Sequence, residues 1–253
     1  YAPIAVFCLA GFAFLPALRN GFTYDDASVV SANPGLAALA DPRVYFSTDY
    51  FRLSGEATWR PLVTASYALD RAVWGLNPFG YHLTNLLWHG LAATMFLVLC
   101  LSLGAPRESA LVAASLYAVH PIHSEAVCAV GFREDLQCAA FYFLALALWP
   151  TAFEPISRRA RLGRSVGALL CFALAILAKE MAFSFPLLLA LKEAVAAGAH
   201  RERVGGLPGD ARSSFGMWAG AVGALVIAAH FLILAQVFTS PTGPASPFAE
   251  VPL

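Results

Sequence analysis

Two adjacent carboxylates, Asp25 and Asp26, interrupt an otherwise apolar stretch in NGFTYDDASVV, residues 20–30. Carboxylates held close repel, so one of them can stay poised to take a proton from a hydroxyl. The plainer reading is a helix cap or a solvated loop pair. Further along, YAVHPIHSEAV (117–127) groups His120, His123 and Glu125 around Pro121, and FRED (132–135) adds Arg133 and Asp135. LAKEMAF (177–183) sets Lys179 beside Glu180 in a short break between apolar runs, and WRPL (59–62) places Arg60 before a proline. Arginine and lysine in such places can hold a phosphate, arginine in a bidentate fork. Each also has a bland reading: Arg60 as an arginine whose stem lies along apolar surface, Lys179–Glu180 as a helix-end contact.

YHLTNLLWH (81–89) carries His82, Asn85 and His89 at i, i+3 and i+7. That spacing puts all three on one helical face. A zinc pair normally comes at i, i+4 with a third ligand, so hydrogen bonds to neighbouring helices are the better reading. The five cysteines show neither paired metal spacing nor a disulfide framework and read as small buried hydrophobes.

The elements that must position these groups are membrane helices. The chain is 59% hydrophobic and only 13% charged, where a soluble domain carries about 25% charged residues. Apolar runs predict seven spans, at about 2–19, 80–103, 108–128, 136–153, 164–178, 181–197 and 215–238. Net charge is zero, so no basic field points to nucleic acid. Pro3, Pro16, Pro121 and Pro186 are expected to kink or end helices. The fold class expected is an all-α polytopic membrane bundle. Its loop 20–79, rich in aromatics and arginine, is expected to form short interfacial helices. The organisation expected is a membrane module over 1–197, then a further loop, span and tail over 198–253. Lacking an initiator Met and ending abruptly, the chain reads as a fragment.

Orientation follows from arginine. EPISRRARLGR (154–164) and GAHRERVGGLPGDAR (198–212) are the basic short loops, which places them in the cytoplasm. Asp25–Asp26, HPIHSEAV, FRED and Lys179–Glu180 then all fall on the outer side. Four polar clusters on one membrane face read as one site. The arginine and alanine bias points to a bacterial source, hence an inner membrane with the site facing the periplasm.

In order, NGFTYDD, WRPL, FGYHLTNLLWH, YAVHPIHSEAV, the RED that opens the fourth span and AKE resemble the membrane module of the transmembrane O-mannosyltransferases with tetratricopeptide repeats. Those proteins are similar to the wider C-type glycosyltransferases that use polyprenyl-phosphate sugars. The resemblance covers about residues 15–190. It implies transfer of a sugar, mannose for that family, from a polyprenyl-phosphate donor to a hydroxyl of a protein or glycan acceptor, with inversion. Asp25 or Asp26 would be the base, with Asp25 favoured because it directly follows the aromatic. Arg133, Lys179 and Arg60 would hold the donor phosphate. His82, Asn85, His89, His120, His123, Glu125, Asp135 and Glu180 would support them, and a divalent ion (Mg²⁺ or Mn²⁺) would fit between the two acids. Two other classes stay open. One is a glycosyltransferase-like structural subunit with partner membrane subunits. The other is a secondary transporter, which would gather its charges nearer the midplane.

Overall fold

The structure, a computed structural model, describes residues 1–33, 35–36, 41, 43–47, 49–54 and 58–204. The expected span at 215–238 lies outside the described residues. The chain runs through α1 (Ala2–Ala13), α2 (Asp49–Ser54), α3 (Pro61–Trp74), α4 (Pro78–Ser102), α5 (Arg107–Val119), α6 (Ser124–Cys128), α7 (Arg133–Leu148), α8 (Arg158–Ala178) and α9 (Phe185–Val204). There is no strand among the described residues. This is the all-α architecture that the apolar periodicity predicts.

Three helical stretches are long and apolar enough to cross a membrane: Pro78–Ser102, Arg158–Ala178 and Glu180–Arg201. At 1.5 Å per residue α4 extends about 37 Å, more than a hydrocarbon core. Helices α1, α5 and α7 are shorter, and each is extended at one end by tight turns. Leu170, Leu187, Val112 and Leu116 stand exposed on the bundle surface. Such positions would be unfavourable against water and are neutral against lipid tails.

Local sequence sets the helix boundaries. Asn77 caps α4 by accepting from the Phe79 N–H, with Pro78 in the first turn. Ser157 caps α8 by accepting from the Ala160 N–H. That cap starts α8 at Arg158 rather than 164, so the arginine-rich stretch expected as a loop is largely the first turns of a helix. The expected third span, 108–128, ends instead at Val119. Pro121 sets the earlier stop, because it disfavours helical backbone at the residue before it. His120 is accordingly extended, and its Nδ1 accepts from the Ile122 N–H. The chain then folds over the bundle end as the turn Pro121–His123, α6 and the turn Val130–Phe132.

Helix α4 is the hub, packed against α1, α5 and α7, and α7 packs in turn on α8. At Gly90 a Cβ would come within 2.9 Å of the Phe7 ring, so glycine permits the close α1–α4 approach. The interior of the second layer holds Phe172 stacked on Phe185, with Tyr142 and Trp149 edge-on to Phe185. The start of α7 and the end of α8 meet at one end of the bundle, where Lys179 reaches Asp135. At the opposite end Arg164 donates to Leu148 O and pairs with Glu154, while Lys192 donates to Leu146 O and Trp149 O. Cations there satisfy the last carbonyls of α7.

Candidate active site

The two acids of NGFTYDD are given opposite environments. Asp26 is fully buried. One of its oxygens accepts from the Thr23 N–H at 2.9 Å and the other from the Gly131 N–H at 2.6 Å. It therefore closes its own turn and bolts that turn to the segment preceding α7. A Cβ on Gly131 would stand 3.3 Å from Asp26 Oδ1, so a small residue is needed there for the approach. Asp25 is exposed, and its carboxylate has no hydrogen-bond or ion-pair partner among the described residues. Tyr24 has φ of 49°, a left-handed conformation that costs a non-glycine residue about 1–2 kcal/mol. This turn leaves both Tyr24 and Asp25 exposed. Two more bonds hold the loop: Gly21 O accepts from His82 Nε2 at 3.3 Å, and Asn20 Nδ2 donates to Cys128 O at 3.4 Å.

Arg133 sits behind this turn rather than beside it. Its side chain is wholly buried and donates to Asn85 Oδ1 (2.7 Å), Ser66 Oγ (3.0 Å) and Tyr81 O (3.0 Å). It pairs with Asp70 at 2.6 Å and lies over the Tyr67 ring at 4.7 Å. Asp70 accepts in addition from Thr84. The guanidinium expected to hold phosphate is instead engaged on all sides by protein groups, so it positions α3, α4 and α7 relative to one another. Asn85 also donates to Ala129 O, and Tyr67 to Val130 O. The same network thus fixes the backbone on which Asp26 docks.

The other two expected phosphate cations do converge. Arg60 lies at the entry to α3, with both Nε and Nη2 on Glu180 (3.2 and 2.8 Å) and Nη1 on Glu134 (3.1 Å). Lys179 ends α8 and donates to Asp135 at 2.7 Å, with Glu134 at 3.7 Å. Two cations and three carboxylates from distant parts of the sequence form one cluster at the N-terminal end of α7. Arg60 is placed by its N–H, which donates to Tyr50 OH, itself bonded to Thr64.

His89 donates to Ala118 O at 2.9 Å, with its ring edge-on to Phe14. His82, Asn85 and His89 therefore each bond backbone carbonyls of neighbouring segments, which is the helix-contact arrangement. The His123 and Tyr117 rings lie 4.4 Å apart, and His120 and Glu125 are exposed. His123, Glu125 and Asp135 help line a cavity of about 530 Å³. Leu136, Ala139 and Phe143, which recur every three or four residues along α7, line it too, with Phe132 just before that helix. Tyr117 of α5 and Leu188 of α9 add to the lining. The cavity thus combines polar and apolar side chains.

Asp26 has each oxygen on a backbone N–H, and no group of three His, Cys, Asp or Glu side chains among the described residues could hold a metal ion. With both Asp26 oxygens on backbone N–H groups, Asp25 is the acid of the pair whose carboxylate is open. Three participants escape a motif reading: Asp70, Glu134 and Gly131. Asp70 had a usable signal, since Val63, Tyr67 and Asp70 fall at i, i+4 and i+7 on the buried face of α3. Glu134 lies inside the RED string, where nothing separates its role from that of Asp135, and Gly131 carries no signal, because only the folded neighbours define these roles.

These features define an all-α integral membrane protein in which Arg60, Lys179, Glu134, Asp135 and Glu180 form one ionisable cluster at the N-terminal end of α7. The chain is a relative of the transmembrane O-mannosyltransferases, matched over a segment of their length. Protein O-mannosyl-transferase Tmtc1 of Drosophila melanogaster is 33% identical over 192 residues, 72% of this chain and 21% of that protein. Protein O-mannosyl-transferase TMTC3 of Mus musculus is 34% identical over 140 residues, 53% of this chain and 15% of that protein. Protein O-mannosyl-transferase TMTC4 of Homo sapiens is 30% identical over 203 residues, 71% of this chain and 27% of that protein. The chain thus spans about a fifth of the length of the curated relatives it matches, 21% for Tmtc1 and Tmtc2 of Drosophila melanogaster. No family model and no solved structure matches it.

Proposed function

We propose that the chain forms the sugar-transfer centre of a membrane mannosyltransferase that takes its sugar from a polyprenyl-phosphate donor. The observation that carries the reading is the division of labour in the Asp pair. Asp26 locks the turn, while Asp25 is held out, unpartnered, on a strained backbone. A general base needs a carboxylate free to accept a proton and fixed in place. In the reaction, the acceptor hydroxyl oxygen attacks the anomeric carbon and its proton passes to Asp25. The bond from that carbon to the phosphate oxygen breaks, and its electron pair leaves with the lipid phosphate. Attack opposite the leaving group inverts the centre.

The surroundings support this assignment. The leaving phosphate needs cations where its charge develops, and Lys179 and Arg60 stand together at the N-terminal end of α7. The donor's chain is apolar, which suits the apolar face that α7 gives the cavity. Arg60, Glu134 and Lys179 all lie at helix ends, whereas transporter sites lie near the midplane. The relatives' names carry mannose and a protein acceptor into the proposal. A structural-subunit reading is favoured by one observation, that both cations already have carboxylate partners.

One experiment separates the two. Asp25→Asn, in membranes carrying the full chain, should lower mannose transfer by about 10²- to 10⁴-fold while donor binding is retained. Transfer at the parental rate would remove Asp25 as base. Absence of donor-dependent transfer in the parental protein would favour the subunit.

A further inference from the structure

The cluster of Arg60, Lys179, Glu134, Asp135 and Glu180 has an internal asymmetry. Glu134 is shared: one oxygen faces both cations, at 3.1 Å from Arg60 and 3.7 Å from Lys179. Its side chain is only 6% exposed, and its second oxygen is buried with no hydrogen-bond partner. The other two carboxylates are private and outward. Glu180, 52% exposed, accepts from the Arg60 fork, and Asp135, 35% exposed, accepts from Lys179. One carboxylate is thus fixed between the cations, and two lie on their solvent side.

We infer that Glu134 is a positioning residue that yokes Arg60 and Lys179 into a two-cation phosphate receiver, and that Glu180 is an internal stand-in for the phosphate, occupying the Arg60 fork until a phosphoryl group displaces it. This rests on the donor reading above and adds how the Arg60 fork is satisfied before the donor arrives. The geometry of the exchange is favourable. A carboxylate and a phosphodiester each offer two oxygens to a guanidinium fork and each carry one negative charge. Replacing Glu180 by the donor phosphate therefore leaves the cluster's charge unchanged. Glu180 can leave because it is half exposed, and its carboxylate regains water when it swings out. Glu134 cannot leave, since its freed charge would stay buried. It holds the two cations together while their outer ligand changes.

An exposed pair of this kind contributes little, which corresponds to roughly a two- to fivefold change in an equilibrium. Purified full chain in nanodiscs can be titrated with farnesyl phosphate, with farnesol and with inorganic phosphate. Glu180→Gln should bind farnesyl phosphate about two- to fivefold more tightly and leave farnesol unchanged. Glu134→Gln should weaken farnesyl phosphate binding, with Glu134→Asp restoring part of it. Where Glu134→Gln does not fold, the Glu180→Gln titration decides alone. Unchanged or weaker phosphate binding by Glu180→Gln would overturn the inference. If inorganic phosphate tightens in Glu180→Gln while no protein binds farnesyl phosphate, the stand-in holds and the polyprenyl donor reading fails.

Discussion

Replacing Asp26 by asparagine removes one of the two acceptors that hold the Thr23–Asp26 turn against Gly131. An asparagine has one carbonyl oxygen, so either the Thr23 N–H or the Gly131 N–H must then face an NH₂ group. The surviving bond also changes from charged to neutral. A hydrogen bond to a charged group is worth about 1.5–3 kcal/mol, and a buried donor left unmade costs about 1–3 kcal/mol. Asp26 is fully buried, but both bonds are part-buried and Thr23 is exposed, so water relieves part of that cost. The expected loss is about 1–3 kcal/mol. For a chain of this size, each kcal/mol lowers a melting temperature by about 2–4 °C. Asp25→Asn, on an exposed and unpartnered side chain, should leave the melting temperature where it is. The measurement is the apparent melting temperature of both variants in one detergent, read together with their mannose transfer. Asp26→Asn should lose stability and transfer, and Asp25→Asn transfer alone. A stable Asp26→Asn beside a destabilised Asp25→Asn would refute the assignment of anchor and base.

Two further perturbations test the frame around the site. Asp70→Asn strips the counter-ion from a wholly buried Arg133; breaking a buried pair from one side typically costs about 3–5 kcal/mol, so the variant should express poorly or melt early. An Asp70→Asn protein as stable as the parent would mean that the Asn85, Ser66 and Tyr81 contacts suffice for the charge. In a cysteine-free background, Ser28→Cys should react with an impermeant maleimide added on one side of the membrane, and Ala160→Cys only from the other. Both positions are exposed, whereas Ser165 is buried in α8 and would stay silent from either side. Equal labelling of the two from one side would undo the assignment of bundle ends.

The sequence by itself determined that this is an all-α membrane protein, and which of its clusters carry charge. Low charge and recurring apolar runs exclude a soluble core, and His82, Asn85 and His89 declare their shared helical face through spacing alone. The family resemblance was also legible, because short ordered motifs such as NGFTYDD and HPIHSEAV survive as strings. Pro121 was readable as a kink or a stop, but the apolar run carried the expected span on to 128, past Val119 where α5 ends. The partners were not legible. Asp25 and Asp26 are neighbours of the same type, and nothing in the string says which one meets the Gly131 N–H, 105 residues away from Asp26. Arg133 read as a phosphate ligand because its charge was visible while Asp70, Asn85 and Ser66 were scattered over two other helices. Glu134 and Glu180 became one cluster with Arg60 only when α3, α7 and the end of α8 met. Periodicity and hydropathy are local properties of a chain, and they mark which segments are apolar and helical. Whether a charge is exposed, paired or buried depends on contacts between distant segments, and the tertiary structure alone decides those.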